Sequence, residues 1–163
     1  MPAAPSTPAP PSAFKAIIWG GLLAGTGDFF FALCFYGWKL GVFQNVAGGL
    51  IGREAARAGG VPTFVFGTLL HFLIAVIWAA IFWVLGRRVP VLLRYAIPAG
   101  LLYGLVVYLG MNCVVLPLSA LSVPLRLPPL WSWPALAHLL LVGLPIALAA
   151  RNFSRPGEPV TVS

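Results

Sequence analysis

Long apolar stretches alternate with short polar breaks along the chain. Four of them, Ala16–Trp38, Pro62–Leu85, Tyr95–Leu116 and Trp133–Ala150, are apolar almost throughout. Each falls in the range of about 17–25 residues that lets an α-helix cross roughly 30 Å of hydrocarbon. Residues 41–60, GVFQNVAGGLIGREAARAGG, follow another rule. Phe43, Val46, Ala47, Leu50 and Ile51 recur at helical spacing, while Gln44, Asn45, Arg53 and Arg57 point elsewhere. This pattern predicts an amphipathic helix over 42–57, too polar to span and lying at the interface. The predicted fold is therefore all-α, an integral membrane four-helix bundle over 14–151 with an additional interfacial amphipathic helix.

The flanks read differently. Residues 1–13, MPAAPSTPAPPSA, hold five prolines and no charged side chain, the composition of a disordered leader rich in extended conformation. Lys15 then opens a run long enough to span, so a cleaved signal is not expected, and FFAL ahead of Cys34 lacks the small residue of a lipid-anchor cleavage site. Residues 152–163 read as a flexible tail.

Composition sharpens the picture. Of 163 residues 60% are hydrophobic and 8% charged, with mean hydropathy +0.97, far from the values of a soluble domain. Ten basic against three acidic residues leave a net charge of +7, but the basic groups stand singly or in pairs. They form no stripe that could track a phosphate backbone, which excludes nucleic acid as a partner. They suit the lipid bilayer instead, with anionic headgroups meeting Arg87, Arg88 and Arg94. Lys15, Arg87, Arg88, Arg94, Arg151 and Arg155 fall on one side of the spans, and Lys39, Arg53, Arg57 and Arg126 on the other. The excess and the tight arginine cluster favour both termini in the cytoplasm. The interfacial helix and the connection 119–132 then lie outside.

Small residues mark where lipid-embedded helices approach each other. Gly21, Ala24, Gly25 and Ala32 surround Asp28 at helical offsets, and Gly100, Gly104, Tyr108 and Asn112 form one i, i+4 row. Both faces predict helix–helix contact, and such glycine faces also admit a homo-oligomer.

Asp28 is the residue that most needs explaining. A carboxylate at mid-bilayer costs roughly 2.5–3.5 kcal/mol on insertion scales, so it must be protonated, paired or beside water. At about 1.5 Å per residue, Asp28 and His71 both lie roughly 15 Å below the outer surface, whereas Asn112 and His138 lie a layer nearer the outside. These residues predict a polar buried site of Asp28, His71, Asn112 and Tyr108, to which His138 is a further addition. The functional reading is a proton or solute site; the plain one is a hydrogen-bonded pair that fixes helix register. His138, near a helix start and behind Trp131 and Trp133, reads rather as an interfacial residue.

Metal ligation would need Asp28, His71 and His138 to converge from three helices, and no HxxxH or ExxH pair supports it, so neither metal nor cofactor is expected. Haem ligation by the two histidines meets the same difficulty of level. Cys34 and Cys113 fall near outer span ends; they read as packing residues or as a disulfide at an oxidising face. Trp38, Trp131 and Trp133 flank span ends as interface anchors do. With Asp28, Glu54 and Glu158 the whole acidic complement, two-carboxylate chemistry and Mg²⁺-phosphate chemistry lack their materials. No nucleophile elbow, phosphate loop or dinucleotide fingerprint is present.

The series FQNVAGGLIGREA at 43–55, HFLIAVIWAAIFWVLGRRVPVLLRY at 71–95 and GLLYGLVVYLGMNCVVLPLSAL at 100–121 resembles a group of uncharacterised four-helix inner-membrane proteins of bacteria. More distantly it is similar to the YagU type of inner-membrane protein. The resemblance covers about residues 16–150 and implies topology and location, with no reaction and no catalytic residues. Two functions stay open on the residues: a small solute or proton-coupled permease or channel component, and a non-catalytic structural or assembly subunit. An intramembrane metal or haem enzyme is a third, with only the two histidines behind it.

Overall fold

The computed structural model describes residues 12–154. Residues 1–11 of the expected leader and 155–163 of the expected tail lie outside the described residues. Every regular element among the described residues is helical. Four helical segments are long and apolar enough to cross a membrane, Ala13–Tyr36, Gly60–Arg88, Ala96–Leu118 and Trp133–Ser154, which marks the chain as a multi-pass integral membrane protein.

The first span, α1 (Ala13–Tyr36), starts where the Ser12 hydroxyl accepts the Lys15 N–H at 3.3 Å and stops at Gly37, whose φ of 84° suits glycine. Two short helices follow, α2 (Gly41–Ile51) and α3 (Arg53–Ala58), then the second span, α4 (Gly60–Arg88). The turn α5 (Pro90–Arg94) leads into α6 (Ala96–Gly110). That helix widens into a π-helical turn, Met111–Val115, before α7 (Leu116–Leu118). The last span runs through α8 (Trp133–Ala137), a second π turn at His138–Gly143, and α9 (Leu144–Ser154).

Both π turns end two residues before a proline, Pro117 and Pro145. A proline inside a helix offers no N–H to the carbonyl four residues back and its ring crowds that carbonyl. Here the ladder slips to i→i−5 just ahead of each: Leu116 N–H donates to Met111 and Leu144 N–H to Leu139. The spans stay continuous as a result.

α1 packs against α4 on one side and the fourth span on the other, and α6 packs on the fourth span. Glycines set these distances. A Cβ on Gly21 would stand 2.6 Å from the Val76 backbone, and one on Gly25 2.7 Å from the Phe72 ring. Gly100 lies against Gly143 and Leu144, and Gly104 against the His138 carbonyl. α6 meets α4 through side chains instead: the Tyr103 hydroxyl donates to the Trp78 carbonyl at 2.7 Å, and the Trp78 ring lies on Gly110. Toward the end where Ser12 N–H bonds the Phe153 carbonyl, the core is Ala79, Phe82, Ala96, Ile146, Ala147 and Ala150.

The segment 42–57 departs from expectation twice. Gly52, at φ 83°, breaks it into α2 and α3, because no side-chain-bearing residue adopts that backbone conformation easily. Gln44, expected to point away from the packed face, is 6% exposed. Its amide donates to the Gly60 carbonyl at 2.9 Å and to the Thr63 hydroxyl at 3.3 Å. The Gly60 carbonyl and the Thr63 hydroxyl each have a lone pair left to accept, and they give the buried amide its partners. α2 itself lies flat on α4, with Gly67 tight against the Phe43 carbonyl.

Candidate functional site

Asp28 and His71 face each other across the α1–α4 contact that Gly21 and Gly25 allow. The Asp28 Oδ2 is 4.0 Å from the His71 Nδ1, with the two side chains 19% and 14% exposed. That separation is ion-pair reach but too long for a direct hydrogen bond, and it is one that a single water spans. The other ring nitrogen, Nε2, lies 2.9 Å from the Gly25 carbonyl. A carbonyl only accepts, so Nε2 carries hydrogen and Nδ1 is the nitrogen turned to the carboxyl group. With both groups deprotonated, two lone-pair-bearing atoms would face each other in a low-dielectric interior. One proton between them relieves this, whether as Asp⁻/His⁺ or as a neutral acid beside a neutral ring.

Aromatic rings close around the imidazole. Phe43 of α2 meets it edge-on at 5.2 Å between centroids and Phe72 at 5.4 Å. Phe29 stacks on Phe43 at 4.6 Å. These rings cover part of the imidazole, whose side chain is 14% exposed.

The pair opens on a cavity of about 50 Å³ at the meeting of all four spans, lined among others by Ala24, Ile74, Trp78, Met111, Val142 and His138. That volume holds only a few waters. His138, the first residue of the second π turn, shares the cavity with Met111, the first residue of the first. Its Nδ1 donates to the Pro134 carbonyl at 2.8 Å, and its ring meets the Tyr108 ring at 5.3 Å.

The expected site of Asp28, His71, Asn112 and Tyr108 is thus rearranged. Asn112 turns to its own helix, its amide donating to the Tyr108 carbonyl at 2.8 Å, and does not line the cavity. Asn112 is the second residue of the π turn that starts at Met111. Tyr108 is buried, but its hydroxyl donates to the Pro129 carbonyl at 3.1 Å, away from Asp28, and it reaches the site only by touching His138. His138, expected rather at the interface, lines the cavity.

Trp78 and Met111 were not anticipated as lining residues. Both could have been found, since Trp78 stands seven positions from His71 and Met111 seven from Gly104, on the same helix faces. No three His, Cys, Asp or Glu side chains among the described residues are grouped as a metal would require. Cys34 and Cys113 are both free thiols. No protein-family model, curated protein or solved structure matches this chain, and its role must be read from Asp28, His71, His138 and the space between them.

Proposed function

We propose that this membrane protein binds and releases a proton at the Asp28–His71 pair and is a small proton-coupled membrane component. The observation that carries the reading is the pair itself: a carboxyl group and an imidazole 4.0 Å apart, with the imidazole's other nitrogen already engaged, beside a cavity of about 50 Å³. The small volume supports a proton in preference to a solute. A solute site holds some 300 Å³ or more, whereas this one accommodates water and protons. Intramembrane ionisable residues that face a bundle interior commonly serve proton relays.

The location that fits is a bacterial inner membrane with both termini cytoplasmic. The arginine cluster at Arg87, Arg88 and Arg94 would then meet anionic headgroups on the inner leaflet. The resemblance to four-helix bacterial inner-membrane proteins supports the same placement. The second reading, a structural or assembly subunit, draws on the glycine contacts, in which Asp28 would only fasten α1 to α4.

Asp28→Asn separates the two, because asparagine keeps shape and hydrogen bonding but cannot ionise. In proteoliposomes whose orientation is set by one-sided labelling of a cysteine placed at Arg88, proton flux followed with an entrapped pH dye should fall on the order of 100-fold. Undiminished flux in the variant would leave the structural reading standing alone.

A further inference from the structure

We infer that His138 is the group through which the Asp28–His71 pair exchanges its proton, and that it does so with the side of the membrane bearing α2, α3 and the connection 119–132. The inference rests on the proton-binding reading above and names its route.

Position comes first. Gly27 lies against Leu141, so Asp28 is level with the middle of the second π turn, and His138 stands about half a turn closer to the α2–α3 side. From Trp133, the first residue of its span, His138 is only about 7.5 Å deep, against about 12 Å for Asp28 below Tyr36. Both line one cavity. His138 is therefore the step between the pair and that surface.

The hydrogen bonds give the ring its capacity. Because the Pro134 carbonyl can only accept, Nδ1 of His138 keeps its hydrogen in either charge state. Nε2 has no partner among the described residues, so it is the nitrogen that gains and loses a proton. In the step envisaged, Nε2 takes a proton from water on the α2–α3 side to give an imidazolium. It hands that proton to cavity water, and the proton lodges between the Asp28 Oδ2 and the His71 Nδ1, returning His138 to the neutral ring. The groups that bear on this transfer are Asp28 from α1, His71 from α4 and Tyr108 from α6, with Tyr36 the remaining titratable neighbour of Asp28 and Tyr108.

The opposite direction is closed. Between the cavity and the end where Ser12 meets Phe153 stand Ala79, Phe82, Ile146, Ala147 and Ala150, all buried. The one titratable side chain in that cluster, Tyr103, has its hydroxyl spent on the Trp78 carbonyl. A proton has no chain of polar groups to follow there.

The test uses the full chain in oriented proteoliposomes and infrared difference spectroscopy of the Asp28 carboxyl band after a pH drop on one side. A drop on the α2–α3 side should protonate Asp28 quickly, and one on the opposite side should not. His138→Phe keeps the ring packed on Tyr108 yet cannot carry a proton, and should slow the fast phase on the order of 100-fold with the final amplitude intact. His138→Gln serves the same end if the phenylalanine variant does not fold. An unchanged rate with normal amplitude in either variant, or a fast phase from the opposite side, overturns the relay while leaving the proton site. A wild-type Asp28 band that never responds to pH overturns the site and the relay together.

Discussion

Phe43 and Phe82 are each 1% exposed, yet they stand in regions of opposite character. Phe82 sits among Ala79, Tyr103 and Ile146 in a dry core where small residues let helices close on one another. Phe43 sits on α2, a helix too short to span, and packs on Phe29 and His71 at the wall of a polar site. The same side chain thus serves cohesion in one half and enclosure in the other. A membrane bundle gains little from burying apolar surface against lipid-like surroundings, so close contact and satisfied polar groups must hold it together. The core around Phe82 uses the first and the region around Phe43 combines both.

Truncating the two rings should break the comparison open. Phe82→Ala leaves a cavity and should cost roughly 3–5 kcal/mol in the unfolding of detergent-solubilised protein, with the titration of His71 followed by ¹⁵N NMR unchanged. Phe43→Ala should cost a similar amount and also move that titration, because water and lipid then reach the imidazole. Equal, null effects on His71 would show that Phe43 is core alone. A smaller effect, about 1–3 kcal/mol, is expected for Gly67→Ala, since the added Cβ runs into the Phe43 carbonyl and must push α2 off α4. Gly49→Ala is the control: its Cβ would meet Ser119 at an ordinary 3.7 Å, and the thermal midpoint should hold or rise. Smallest is Tyr103→Phe, which removes the bond to the Trp78 carbonyl and should lower stability by about 1 kcal/mol without touching proton binding.

The spans were legible because hydrocarbon thickness dictates a run of apolar residues long enough to be unmistakable. The nearness of Asp28 and His71 could be anticipated for a related reason: a fixed rise per residue converts position into depth, and the small residues around Asp28 tell which face it shares. Counting was blind to the two π turns, at whose starts His138 and Met111 line the cavity while Asn112 turns to its own helix. Pro117 and Pro145 were the available signals, but a proline in a span is compatible with a kink, a break or a widened turn. Gln44 was misjudged for another reason. Periodicity sorts residues by polarity, whereas the start of α4 supplies acceptors that make a buried amide favourable, and that is visible only once α2 and α4 lie side by side.

The second π turn has a consequence for how this chain tolerates change in length. It holds one residue more than an α-helical stretch with the same end points. Deleting a single apolar residue between 139 and 143 would therefore let the span regularise with both flanks in place, whereas a one-residue change in the α-helical part would swing everything on the Trp133 side by about 100° around the axis. The turn thus takes up a change in length that the regular parts of the span would pass on to the imidazole.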